Sequence, residues 1–173
     1  MKSRWLRTKS VNRVFALTLT FDRHNVSAST RHDDNATAVI YPELMRQVFS
    51  NLLLNAIDAM PKGGKVFAKI SKTREWVGQE RSGVRITIAD TGTGIAADIL
   101  SRVREPFFTT KGAYGNGMGL AIVQEIIAHH QGRLKIRSST RSGNSGSVFS
   151  IFIPAKVRDA GERRRNDHVG RIP

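Results

Sequence analysis

The chain has 173 residues, the size of one ordinary domain, and 39% of them are hydrophobic, enough to fill one core. It contains no cysteine, which excludes a disulfide framework and thiolate metal centres and fits a reducing cytoplasm. The formal charge of +14 invites a polyanion, but much of it crowds the two ends, at 2–13 and 156–171, without a base-reading motif. No specific nucleic-acid partner is therefore expected. The basic start, Met1-Lys2-Ser3-Arg4-Trp5, resembles that of a signal peptide, but Arg7, Lys9, Asn12 and Arg13 break the apolar stretch behind it. No run of eighteen apolar residues exists, so no membrane contact is expected of this domain.

In chain order, residues 14–21 alternate apolar residues with Thr and predict a strand. Residues 22–35 are polar and predict a loop with at most a short strand, and 37–41 predicts another strand. Pro42 suits the first turn of a helix, where its missing N–H costs nothing. That helix is expected to reach Met60, where Pro61-Lys62-Gly63-Gly64 stops it. Two strands follow at 65–71 and 83–89, joined by a polar connection around 74–82. In the second, Val84, Ile86 and Ile88 alternate with Arg85 and Thr87, so one face is buried. A short helix is expected at 97–103, then a glycine-studded loop at 105–117. Residues 118–130 predict a helix with Leu120, Val123, Ile126 and Ile127 on one stripe and His129 and His130 at its negative end. Strands at 133–138 and 147–153 close the chain. Helices and strands interleave, so a two-layer α+β sandwich is expected. The organisation read from this is an N-terminal extension at 1–35, a domain at 36–155, and a basic, disordered tail at 156–173.

Four segments carry chemistry. On the first helix Asn51, Asn55 and Asp58 stand at i, i+4 and i+7 and share a face, beside one lined by Val48, Leu52, Ala56 and Ala59. Asparagine is a mediocre helix former, so two of them in an apolar helix need a reason. Their side-chain carbonyls suit Mg²⁺, which shares its shell with substrate phosphates; amides capping nearby backbone are the plainer reading. Next, Asp90-Thr91-Gly92-Thr93-Gly94-Ile95 puts a carboxylate at the mouth of a buried strand, able to accept from an exocyclic amine such as that of adenine. Gly92 and Gly94 remove Cβ atoms that would hold a flat base away, although a plain strand-to-helix turn favours the same residues. The third segment, Glu105-Pro106-Phe107-Phe108-Thr109-Thr110-Lys111, offers two aromatic anchors for a mobile loop and a lysine that can reach a phosphate, or simply a stapled surface loop. The fourth, Gly115-Asn116-Gly117-Met118-Gly119-Leu120, opens a helix whose bare amides suit an anion. It is not a dinucleotide fingerprint, which needs glycine where Leu120 stands; nor does Gly64-Lys65-Val66 complete a P-loop.

In this order and spacing the four segments resemble the nucleotide boxes of sensor histidine kinases. That family's catalytic domain shares its ATP fold with type II topoisomerases, ninety-kilodalton heat-shock chaperones and mismatch-repair ATPases. The resemblance covers about residues 40–155. It implies a mixed sheet on one layer of helices, a mobile ATP lid, and ATP with Mg²⁺. By this likeness Asn51 and Asn55 lie at the phosphates, near Asp58, with Asn55 the direct Mg²⁺ ligand. Asp90 holds the adenine amino group, with Gly92, Gly94 and Ile95 around the base. Lys111 touches the terminal phosphates beside Phe107, and Gly115, Gly117, Met118, Gly119 and Leu120 frame the lid and its hinge. Ser147, after Gly146, stands for the family's Gly-Thr step near the base. The catalytic set implied is Asn51, Asn55 and Lys111.

The ATPases of this fold carry a glutamate four residues before the Mg²⁺ asparagine. Here that position is Asn51, which cannot act as a base, so the resemblance implies phosphoryl transfer rather than hydrolysis. The acceptor it implies is a histidine on a separate dimerisation domain, with a response regulator further along. A nucleotide-binding module without kinase activity is the alternative. An acceptor hairpin needs roughly 60 residues at 1.5 Å rise. Only 41 residues precede Pro42, without helical periodicity, and neither His24 nor His32 sits in the family's acceptor motif. The chain is therefore expected to be inactive alone. Asp90-Thr91-Gly92 is also the signature of an aspartic protease, but such sites pair two carboxylates in a nearly all-β fold, against the helix at 42–60.

Overall fold

The computed structural model describes residues 5–7, 25–33, 36–77, 79–109 and 117–155. The elements are β1 (Trp5–Arg7), β2 (Val26–His32), β3 (Thr37–Val39), α1 (Pro42–Asp58), β4 (Gly64–Val77), β5 (Gln79–Asp90), α2 (Gly119–His129), β6 (Arg133–Ser139) and β7 (Gly146–Pro154). β1 and β3 form a separate antiparallel pair. The remaining strands make a five-stranded sheet in the order β2-β4-β5-β7-β6, with β2 parallel to β4 and the other pairs antiparallel. Both helices pack on one face, giving the expected mixed sheet under a helical layer.

Period-two alternation sets that face. Val66, Ala68 and Ile70 of β4, Val84, Ile86 and Ile88 of β5, and Phe149, Ile151 and Ile153 of β7 all point into the core. They meet Met45, Val48, Phe49, Leu52, Leu53 and Ala56 of α1 and Val123, Ile126 and Ile127 of α2. Each of the larger of these side chains, the valines, leucines, isoleucines, phenylalanines and methionine, contributes about 1.5–3 kcal/mol by leaving water. The interior of α1 is thereby fixed, and its polar residues at 51, 55 and 58 are turned toward α2 or solvent.

The structure departs from expectation in several places. The connection expected around 74–82 is instead the end of one long hairpin, with an Arg74–Glu80 ion pair of 3.1 Å across it. Residues 97–103 form successive turns, not a helix; single i→i+4 bonds join Leu100 to Ala96 and Val103 to Ile99, both at 3.1 Å. Ala97, Asp98, Ser101 and Arg102 are exposed, so no apolar face rewards a longer helix. The short strand allowed within the polar segment 22–35 is the seven-residue β2, and His32, expected in a loop, ends it. Its residues are almost all exposed, so backbone pairing with β4 forms it without an amphipathic signature. The sheet thus draws in residues ahead of the boundary expected at 36. The strand expected at 14–21 and the tail at 156–173 lie outside the described residues. Among the described residues no helix is long and apolar enough to cross a membrane.

His130 joins the two helices. Its Nδ1 lies 2.7 Å from the Ile126 carbonyl, which can only accept, so Nδ1 carries the proton and Nε2 accepts the Tyr41 N–H at 3.0 Å. The ring therefore meets the end of α2, as expected, but as a neutral donor. Burial holds its pKa below the ordinary value; the Ile126 carbonyl opposes this, and His129 reinforces it. Because the folded pKa lies below the unfolded one, this group's stabilisation is complete above about pH 6.5 and is lost as pH falls toward the folded value. Thermal melts at pH 7.5 and 5 should show a loss that shrinks in His130→Gln. An equal loss in both proteins would sink this assignment.

Candidate functional site

β5 ends at Asp90, 8% exposed between the helices and β7. The amides of Gly92 and Ser147 both donate to its Oδ1, at 2.9 and 3.2 Å. Oδ2 takes no hydrogen bond from a described residue. Burial pushes the carboxyl above its ordinary pKa, while the two amides pull it back. Asp90 is thus an oriented and poorly solvated acceptor.

The loop behind Asp90 is held by contacts that the sequence did not reveal. Ser138 Oγ accepts the Ile95 N–H at 2.7 Å, donates to the Gly146 carbonyl at 2.8 Å, and lies 2.9 Å from Ser147 Oγ. Thr91 Oγ1 accepts the Lys65 amide at 3.0 Å, fixing the other side. No local pattern marks Ser138; only the β6–β7 register brings it there. The glycines of this loop are closely packed. A Cβ on Gly92 would lie 2.7 Å from Ala59, and one on Gly94, at φ +76, would lie 2.0 Å from the Ser139 carbonyl oxygen. Their missing Cβ atoms admit neighbouring protein, at the end of α1 and at β6. Ile95, half-buried, packs against the core.

The second half of the site is the α1–α2 seam. A Cβ on Gly119, the first residue of α2, would sit 3.9 Å from Asn51 and 4.0 Å from Asn55, so the structure brings these three together. Among the described residues, Asn51 Nδ2 is the buried side-chain atom without a hydrogen-bond partner. Leaving such a donor unmade costs about 1–3 kcal/mol, which a ligand oxygen would relieve. Asp58 is on the exposed end of the face. The N-cap of α2, Met118, makes no side-chain cap bond. Leu120 roots the turn in the core.

Gly117, at φ +65, lies where a Cβ would come within 2.4 Å of the Phe107 backbone. Phe107 has φ +67, an unfavourable region for a bulky residue, and is 77% exposed. Its side chain is therefore not the buried anchor expected. Phe108 is partly buried, with the Arg102 guanidinium 4.6 Å above its ring. Lys111 and Gly115 lie outside the described residues. No cluster of three or more His, Asp or Glu that could hold a metal occurs among the described residues, so amide oxygens remain the donors on offer.

A buried acceptor at one end and an uncapped helix start faced by amides at the other form the layout of a nucleotide-binding domain. The chain belongs to the histidine kinase-, DNA gyrase B-, and HSP90-like ATPase family, whose pattern matches residues 40–157. It is 39% identical to sporulation kinase E of Bacillus subtilis over 135 residues, 78% of this chain but 17% of that protein. It is 41% identical to the sensor histidine kinase ZraS of Salmonella typhimurium over 117 residues, 68% of this chain and 23% of that one. The chain thus spans under a quarter of these relatives. The mycobacterial sensor histidine kinase MprB shares the fold with a TM-score of 0.71 at 20% identity, over 91% of this chain and 100% of that one. The catalytic domain of histidine kinase ThkA does so with a TM-score of 0.70 at 24% identity, over 90% and 99%.

Proposed function

We propose that this chain binds Mg-ATP and transfers the γ-phosphoryl group to a histidine on a separate dimerisation domain, from which a response regulator is charged. The observation that carries this reading is Asn51 at the α1–α2 seam, an amide with a buried, unpartnered nitrogen and no capacity as a base. With no carboxylate at that position to activate water, a nucleophile brought by a partner is the better acceptor. Asp90 Oδ2 would accept the adenine amino group, with Ser147, Gly92, Gly94 and Ile95 building the base end. Asn51 and the amides after Gly117, with Met118, Gly119 and Leu120, would bind the phosphates, beside Asp58. Asn55 would hold Mg²⁺, because a side-chain oxygen fits a hard ion. That ion neutralises phosphate charge, and the protein's own part is positioning and charge stabilisation, to which Lys111, Phe107 and Gly115 of the lid segment would add. The domain would serve inside the cytoplasm, whatever anchors the rest of the protein.

Calorimetric titration with a non-hydrolysable ATP analogue and Mg²⁺ should give micromolar to millimolar affinity, roughly 4–8 kcal/mol. Absence of heat would remove the nucleotide reading. The transfer step is tested by incubating the chain with γ-labelled ATP, with and without a purified acceptor hairpin from a related kinase. Acid-labile label should appear on the hairpin, vanish in Asn55→Ala, and not appear on the chain alone. Label on the chain by itself would overturn transfer to a separate domain. Binding without transfer to any hairpin would favour a nucleotide-binding module.

A further inference from the structure

Part of the basic charge gathers on the sheet face opposite the helices. Strand registers place Arg31, Lys69, Thr87, Ser150 and Lys135 in one row across the sheet, and Ser29, Phe67, Ala89, Val148 and Arg137 in the next. Lys65 precedes Phe67 on the same face. Strands lie about 4.8 Å apart and same-face residues about 6.8 Å apart, so the two rows cover a flat area of about 19 by 7 Å. Glu75 is the acid among the outward positions of β4, β5, β6 and β7, and Arg85 engages it at 3.2 Å. In the floor of this surface Phe67 is 46% exposed and Val148 37% exposed.

The charge decides what can cover the face. This chain's own end segments, 2–13 and 156–171, are basic, and a second copy brings another +14, so neither complements it. A polyanion does. Phe67 selects among polyanions, because Lys65 and Lys69 flank it along the strand and Arg31 stands diagonally across. All three are exposed beside the ring, so whatever covers Phe67 must also meet these cations. A flat base can lie on it while phosphates meet the cations. We propose that this open sheet face binds single-stranded nucleic acid without sequence specificity, with phosphates at Lys69, Lys135 and Arg137 and a base stacked on Phe67.

Fluorescence anisotropy of the full chain with a short labelled oligouridylate tests this. Binding should weaken steeply as salt rises, and Lys69→Glu with Lys135→Glu should reduce it by at least about tenfold. Phe67→Ala should weaken it by about tenfold, and Phe67→Leu nearly as much, because leucine keeps the bulk and loses the π-face. Unchanged melting temperatures would show that these surface variants fold. Oligonucleotide binding indifferent to all of them would assign it to the basic ends and overturn the proposal. So would binding rescued by Phe67→Leu, or equal binding to phosphatidylserine vesicles or polyglutamate, which would indicate insertion or generic attraction to anions.

Discussion

Asp90→Asn should weaken ATP binding by about 10- to 100-fold while leaving the melting temperature unchanged or raised. The geometry makes the two effects separable. In the wild type both structural amides, those of Gly92 and Ser147, donate to Oδ1. An asparagine keeps these two bonds only with its carbonyl oxygen toward them, since the flipped amide would set donor against donor. Its NH₂ then replaces Oδ2 and offers a donor to a ligand donor. Stability should not suffer, because the wild-type carboxyl is penalised by burial, which raises its pKa. The sign is that of an acid whose folded pKa exceeds its unfolded one: the site is most favourable below the unfolded pKa, and stability is lost as pH rises through the folded value. Removing the charge removes that loss. Titration calorimetry beside a thermal melt decides the matter. Unaltered affinity would remove Asp90 from the nucleotide site, and a large fall in melting temperature would make its role structural.

What the sequence disclosed was whatever is local. Pro42 and the Pro61-Lys62-Gly63-Gly64 stop bounded α1 to within two residues, and alternation marked the inward face of β5. The order of the four segments led to the family. Contacts made through strand pairing stayed hidden. Lys135 and Arg137 look like one more scatter of charge until register sets them level with Lys69 and Phe67, three strands away. Ser138 shows nothing of its three contacts for the same reason. β2 lacked a signal because its side chains are exposed on both faces, so only its backbone pays attention to β4. Residue type also could not say where an absent Cβ would point, so the close packing of Gly92 on Ala59 and of Gly94 on Ser139 was not legible in the sequence.

Gly94→Ala should unfold the domain far more readily than Gly143→Ala, although both glycines have φ +76. Backbone strain is thus the same in the two variants, about 1–2 kcal/mol for an L residue in that region. The surroundings differ. A Cβ at Gly143 meets nothing within 4 Å, whereas one at Gly94 falls 2.0 Å from the Ser139 carbonyl oxygen and 3.2 Å from Ser138 Oγ. The obstacle is strand backbone, so relief requires the 91–95 loop to lift from β6. That movement breaks the 2.7 Å bond from Ile95 N–H to Ser138 and loosens the hydroxyl network beside Asp90. Clash, strain and lost hydrogen bonds together put the cost at about 4 kcal/mol or more. For a chain of 173 residues, at about 2–4 °C per kcal/mol, that is a fall in melting temperature of about 8–16 °C, against about 2–8 °C for Gly143→Ala. ATP affinity should fall in Gly94→Ala even below its transition, because Asp90 depends on the same loop for its Gly92 amide. Equal melting temperatures for the two variants would mean that the loop yields without cost, and the Ser138 anchorage would then lose its structural meaning.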